Sequence, residues 1–223
     1  MSGVAFLRAR LFDEIGVEHG FGTRFSADAA PVDLFLAKQV HGDLLTRAPF
    51  RGRPEADAVW TDRAGAAVGV VTADCVPILV AHASGRFVCA IHAGWRGSAA
   101  RIAAKTVRAL VAATGAAPGE LVAAIGPHVG SCCYEVDAPV IRAIPERSVL
   151  GPAAKPEHAM LDLFALNRLQ LVGAGVPARA IERVGGCTMC DPDLYFSYRR
   201  DRVAGRMLHF ARAIARGVQI LER

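Results

Sequence analysis

Three residues of this chain carry side chains suited to metal or nucleophilic chemistry: His41 in "AKQVHGD", Cys75 in "TADCVPILV" and His92 in "AIHAGWRG". A cysteine inside an apolar run packs most often as a small hydrophobe. Two further readings come from His92, which sits in what reads as the next strand, just before a glycine-lined turn into a helix. Cys75 and His92 would make a nucleophile–base dyad. With His41 added, the set becomes two nitrogens and a sulfur, which zinc accepts while keeping a fourth position open for water or substrate. "FLAKQVHGD" approaches His41 as a strand and leaves through glycine, the same exit that "CAIHAG" gives His92. Spacing alone leaves all three readings of Cys75 open.

The remaining motifs carry less. Cys187 and Cys190 form a C-x-x-C in "CTMCDPD", but a structural zinc site wants a second such pair or a pair of histidines. The adjacent Cys132 and Cys133 look like a poor complement. A thioredoxin-type motif should open a helix, whereas Asp191-Pro192 predicts a turn. "GFGTR" and "IGPHVG" are glycine turns, not phosphate loops. Lys38 has no nucleophile setting. Trp95 and Arg96 are equally suited to structural and substrate-facing roles, and "SYRRD" to a salt-linked hairpin or an anion clamp.

These residues need elements to hold them. "AVGVVTADCVPILVAHA" predicts one or two buried strands, being rich in valine and isoleucine and too interrupted for a long helix. "RFVCAIHA" alternates and predicts the return strand of a hairpin turning at Ser84-Gly85. "SAARIAAKTVRALVAATG" predicts one helix capped by Ser98, with Ile102, Val107, Leu110 and Val111 on its apolar face and Gly115 closing it. "LVAAIGP" predicts a short buried strand. "DAPVIRAIPER" and "LDLFALNRLQLVGAG" predict helices capped by Asp137 and Asp162. "AIERVGG" predicts a strand, and "LYFSYRRDRVAGRMLHFARAI" a hairpin turning at Ala204-Gly205. Without a regular βαβ rhythm, the mixture favours an α+β domain with mixed sheets over a doubly wound fold.

The chain has 223 residues, enough for one large domain with a substantial core. With 52% hydrophobic and 21% charged residues it is ordinary for a globular protein. No apolar run reaches the ~18 residues of a membrane helix, and the first residues lack a signal-peptide layout, so a soluble cytoplasmic protein is expected, with no membrane partner. The formal charge of +5 comes from scattered arginines, with 7% aromatic residues, which speaks against a nucleic-acid partner and suits a small anionic substrate. Six cysteines without a signal segment argue against a disulfide framework.

Together, "KQVHGD", "ADAVWTD", "GVVTADCVPILV", "AIHAGWRG", "IGPHVGSCCYEV" and "CTMCDPDLYFSYRRD…GRM" resemble the laccase-domain family. Its members were once described as multicopper polyphenol oxidoreductases and are now described as purine nucleoside phosphorylases. The likeness runs from about Gly20 to Met207. It implies a four-layer α/β/β/α fold with mixed β-sheets, a single domain over residues 1–223, as a monomer or homodimer. It also implies His41, Cys75 and His92 as the catalytic metal ligands, with zinc as the ion and copper as the alternative. The implied substrates are purine nucleosides (adenosine, inosine, guanosine and methylthioadenosine) with phosphate, with deamination of adenosine as a side activity.

Arg24, Gln39, Arg96 and Arg199 are then expected to bind substrate, the arginines (Arg200 included) because a guanidinium pairs bidentately with phosphate. Asp74 is a candidate to orient a ligand histidine, although its place beside Cys75 on a strand points it to the opposite face. One departure from the family stands out: the segment between Arg24 and His41 is shortened to "FSADAAPVDLFLAK", which bears on the substrate pocket more than on the metal. The oxidase reading is discounted, because none of the seven histidines forms a His-x-His pair. The alternative from another class is a peptidoglycan-precursor editing hydrolase or amidase using the Cys75–His92 dyad.

Overall fold

A computed structural model describes residues 3–202 and 205–214. The first half of the chain runs β1 (Phe6–Leu7), α1 (Arg10–Glu14), β2 (His19–Gly22), β3 (Leu34–Leu36), β4 (Leu45–Arg47), β5 (Ala58–Thr61), β6 (Ala67–Thr72), β7 (Val76–His82) and β8 (Val88–Ala93). Next come α2 (Trp95–Ala99), α3 (Ile102–Thr114), β9 (Leu121–Ile125), β10 (Glu135–Val136), α4 (Ala138–Ala143), β11 (Leu150–Pro152) and β12 (Ala159–Leu161). The last are α5 (Leu163–Gly173), β13 (Ile181–Arg183), α6 (Tyr198–Asp201) and β14 (Met207–Arg212). Two mixed sheets dominate, in the orders β1-β2-β14-β6-β3 and β13-β9-β7-β8-β5-β4, and β10-β12-β11 forms a small third one.

The large sheets pack face to face, and this explains why "VPILVAH" is apolar at every position. Side chains alternate across a strand, and a strand covered on both faces loses the polar half of its alternation. In β7, Leu79 and Ala81 meet Val68 and Val70 of β6 and Val88 and Ala90 of β8 in the core between the sheets. Ile78 and Val80 point the other way, toward Ile102, Val107 and Leu110 of α3 and Leu166 and Leu171 of α5. Phe12 of α1 enters the inter-sheet core. The expected α+β architecture with mixed sheets is therefore what forms. Among the described residues, no helix is long and apolar enough to cross a membrane.

The β7–β8 hairpin pairs Pro77 with His92 and Ala81 with Val88, as the sequence predicts. Asp162 caps α5, its carboxylate accepting from the Ala165 N–H at 2.8 Å. Gly115, at φ +67°, closes α3 in the left-handed conformation that favours glycine. Asp137 precedes α4 as expected but makes no side-chain cap bond.

Two further expectations fail. The single helix from Ser98 is two helices, α2 and α3, separated at Arg101, whose φ is +64°. Ser98 caps neither, because contacts with α5 claim it. Its hydroxyl accepts from Asn167 Nδ2 at 3.0 Å and its carbonyl from Gln170 Nε2 at 2.7 Å. The C-terminal hairpin is also absent. Residues 198–201 form α6, capped by Ser197, whose hydroxyl accepts from the Arg200 N–H at 3.2 Å. β14 instead pairs with β2 and β6 across the sheet. The expected turn residue Ala204 lies outside the described residues.

The segment "GVVTADCVPILV" changes sheets: β6 belongs to the five-stranded sheet and β7 to the six-stranded one. Ala73, Asp74 and Cys75 make the corner, with Asp74 at φ +88°. Non-glycine residues adopt such angles rarely and need surrounding bonds to hold them. Asp74 has them: its carboxylate accepts from Thr188 Oγ1 and from the Arg199 N–H, both at 2.6 Å, and its carbonyl from the Val129 N–H at 3.0 Å.

Candidate metal centre

Cys75 occupies this corner. Antiparallel pairing of β7 with β8 carries His92 beside it, and the loop after β3 brings in His41. One nitrogen from each histidine and the Cys75 sulfur lie within 4.8 Å of one another. The two imidazoles stand edge to face, with centroids 4.8 Å apart. The three expected ligands therefore converge from separate segments of the chain.

Asp57, at the entry to β5 in the "ADAVWTD" motif, organises them. It is fully buried, and its carboxylate accepts from His92 Nδ1 at 2.7 Å. It also accepts from the backbone N–H groups of Val40 (3.2 Å), His41 (3.0 Å) and Gly42 (2.7 Å). The first bond directs His92 Nε2 toward Cys75, the arrangement typical of ligand histidines whose second nitrogen is held by a carboxylate. The other three pin His41 at φ +60°, a left-handed conformation that costs on the order of 1–2 kcal/mol in a non-glycine residue. One buried acid thus orients two of the three candidate ligands.

The electrostatics follow from these contacts. Burial raises the Cys75 pKa, but hydrogen bonds from His41 and His92 and the charge of His92 outweigh it and bring the thiol down. Burial lowers the His92 pKa, but Asp57 and Cys75 outweigh it and push the imidazole up. Burial also raises Asp57, and the His92 and Gly42 hydrogen bonds bring it below its usual range. Gly94 faces the cluster: a Cβ there would lie 3.0 Å from Cys75 Sγ and 3.3 Å from His41 Cδ2. The space is kept clear beside a set of donors, two nitrogens and a sulfur, that fits zinc or copper.

His41, Cys75 and His92 line a cleft of about 700 Å³, within the range of small-molecule sites. Lys38, Arg53, Arg199, Arg202 and Arg206 line it too, with Asp74 as the one carboxylate among the described residues, and Tyr134 and Tyr198 contribute aromatic surface. Lys38 pairs with Glu55 at 2.8 Å. Arg199 lies over the Tyr134 ring and donates to the carbonyls of Cys133 (3.3 Å) and Glu135. Burial pushes the Tyr134 phenol up to about 12, so it keeps its proton and can donate.

Of the expected substrate residues, Gln39 and Arg199 line the cleft. The Gln39 amide is committed to the backbone of Val71, donating to its carbonyl and accepting from its N–H, both at 2.8 Å. Arg24 lies outside the cleft lining, donating to the Pro192 carbonyl at 2.6 Å and stacking on Phe196. Arg96 is exposed and lies over Trp95, 4.4 Å from the ring centroid. Arg200 donates to the carbonyls of Thr188 (2.8 Å) and Tyr195 (3.0 Å) and pairs with Asp201. Asp74 braces the corner and bonds neither histidine; Asp57 does that work. The signal for Asp57 was an acid opening a β-strand inside a recognised motif, but no spacing rule ties it to His92. Arg53, Arg202 and Arg206 also escaped the sequence, because loops distant in the chain gather them.

Residues 22–213 match the family described as multi-copper polyphenol oxidoreductase laccase. Purine nucleoside phosphorylase YlmD of Geobacillus stearothermophilus is 42% identical over 163 residues, 70% of this chain, and the chain spans 60% of that relative's length. A purine nucleoside phosphorylase of Xylella fastidiosa (strain Temecula1) is 40% identical over 185 residues, 78% of this chain and 70% of the relative. The crystal structure of YlmD from Geobacillus stearothermophilus superimposes with a TM-score of 0.85 at 31% identity, covering 96% of this chain and 98% of that one. This chain belongs to the multi-copper polyphenol oxidoreductase laccase family.

Proposed function

We propose that this chain is a metal-dependent purine nucleoside phosphorylase, with zinc held by His41, Cys75 and His92. One observation carries the reading: the candidate ligand cluster opens into a cleft that, among the described residues, bears five cationic side chains and a single carboxylate. Relatives named purine nucleoside phosphorylase support it. Adenosine, inosine, guanosine and methylthioadenosine are the proposed substrates, with deamination of adenosine as a side activity.

Phosphorolysis forms a bond from a phosphate oxygen to the ribose anomeric carbon as the bond to the purine nitrogen breaks. The electron pair leaves with the base, which gains a proton. Arg53, Arg202 and Arg206, which line the cleft, would hold the phosphate, and Arg199 would add positive potential from the wall. Tyr134 and Tyr198 offer faces for the purine, and the Tyr134 hydroxyl a proton donor for its nitrogens. When bound, zinc would supply Lewis-acid polarisation of a group in its open position. The test is incubation of metal-analysed protein with each nucleoside, with and without phosphate, reading free base and ribose 1-phosphate. Absence of phosphate-dependent product from every purine nucleoside refutes the reading.

A second reading has its own observation. Cys75 Sγ lies within 4.8 Å of a ring nitrogen of each histidine, which suits a thiolate nucleophile with His92 as base in an amidase or peptidoglycan-precursor editing enzyme. A metal-bound thiolate is a poorer nucleophile, so chelation separates the two. Phosphorolysis should stop on metal removal, whereas dyad hydrolysis should persist and yield to thiol alkylation.

A further inference from the structure

Away from the cleft's ligand cluster, the four cysteines that looked mismatched in sequence come together. Cys132 and Cys133 lie on the turn before β10, and Cys187 and Cys190 on the loop after β13. All four sulfurs are within 4.8 Å of one another. Cys190 Sγ lies 3.6 Å from Cys132 Sγ and 3.5 Å from Cys133 Sγ. Four thiolates around one zinc at ~2.3 Å stand ~3.8 Å apart along the edges of a tetrahedron. An iron–sulfur cluster attaches its thiolates to different irons and spreads them wider.

We propose that Cys132, Cys133, Cys187 and Cys190 form a second, structural metal site that takes zinc. Adjacent cysteines can share one ion because the turn reorients them: the N–H groups of Cys133 and Tyr134 both donate to the Gly130 carbonyl, at 2.9 and 3.0 Å. The other half folds as a metal knuckle, with the Cys190 N–H donating to the Cys187 carbonyl at 3.2 Å. The Gly130 N–H donates to Cys187 Sγ at 3.2 Å, a bond that stabilises a thiolate.

Charge fits as well. Four thiolates around a dication leave a net charge of two negatives, and two guanidiniums flank the cluster. Arg199 bonds the Cys133 carbonyl, and Arg200 bonds the carbonyls of Thr188 and Met189 between the two knuckle cysteines. The site would clamp loop 128–134 to loop 187–200. The same clamp reaches the first centre, since Thr188 and Arg199 hold the Asp74 carboxylate next to Cys75. This inference does not depend on the phosphorylase reading.

Zinc is counted per chain in protein purified without chelator: wild type, His41→Ala and the double variant Cys187→Ser/Cys190→Ser. His41→Ala should retain one tightly held zinc, and the double variant should hold one fewer than wild type. Should the double variant not fold, wild-type protein carries the test through alkylation mapped by mass spectrometry. Zinc-loaded protein should protect all four cysteines, although Cys132 and Cys190 are exposed, and chelation should release all four to the reagent. A His41→Ala protein with no zinc, labelling of the four thiols in zinc-loaded protein, disulfides among them, or iron with sulfide would each overturn the proposal.

Discussion

The two cysteine-bearing clusters of this molecule use opposite constructions. The first gathers His41, Cys75 and His92 at a corner between two sheets, with His41 and the corner residue Asp74 both at positive φ. Its three candidate ligands open into a cleft. The second gathers four thiols on two surface turns built from ordinary backbone hydrogen bonds, and none of its cysteines lines that cleft. Three ligands leave a coordination position for chemistry, while four saturate a tetrahedral ion. The strained construction, open to a cleft, suits a reactive centre, and the closed one suits a fastener.

The largest expected effect falls on the first cluster. Cys75→Ala should reduce turnover to the assay background and remove one zinc, while circular dichroism stays native because Cys75 lies outside β7. A folded variant with full zinc and activity would remove Cys75 from the centre. On the second cluster, Cys187→Ser should act on stability: its melting temperature should fall by about 10 °C or more. A structural zinc contributes several kcal/mol, and each kcal/mol shifts Tm by about 2–4 °C in a chain of this size. An unchanged melting curve would erase the contrast between the two.

Asp57→Asn probes how the first centre is braced. The amide cannot serve all four donors that the carboxylate accepts, so zinc affinity should drop roughly 10–100-fold. Folding stability should fall by about 1–3 kcal/mol. Competition with a chelating dye and chemical denaturation measure the two losses, and wild-type affinity would mean that His92 needs no such anchor.

The smallest effect concerns acid. His209 is buried, with Nδ1 accepting from the Gly22 N–H at 3.2 Å and Nε2 facing Thr72 Oγ1 at 2.9 Å, so its neutral form is the one that fits. Burial, with a smaller contribution from His92, lowers its pKa to about 3. Burial likewise lowers His19 and His128. Below about pH 6.5 these three histidines bind protons in the unfolded chain that the folded chain refuses, so their contribution to stability is full above that pH and declines below it. The loss for His209 continues toward about pH 3, at roughly 1 kcal/mol per pH unit. Denaturation midpoints at pH 7.5 and 5.5 check this, and equal midpoints would contradict it.

Much of the scaffold was legible because its signals are local. The alternation of "RFVCAIHA" forms β8, the Asp162 carboxylate caps its own first turn, and Gly115 supplies a left-handed residue that needs only its neighbours. The failures were places where distant partners outbid local preference. Ser98 reads as a cap, but Asn167 and Gln170 take its polar groups, and the helix breaks at Arg101. "SYRRDRVAGRM" reads as a hairpin, but β14 finds its partners in β2 and β6.

The candidate centre divides in the same way. His41, Cys75 and His92 were visible as residue types in strand-end settings and as motifs resembling a family. Asp57 and the cluster of four cysteines were not, since nothing in the spacing says which loops will meet. Residue chemistry, strand alternation, caps and family membership are properties of short segments, and the sequence by itself determined them. Which donors share one point in space depends on how two sheets and their loops close over one another. That was decided only by tertiary packing, because burial rewards the whole assembly and no single segment encodes it.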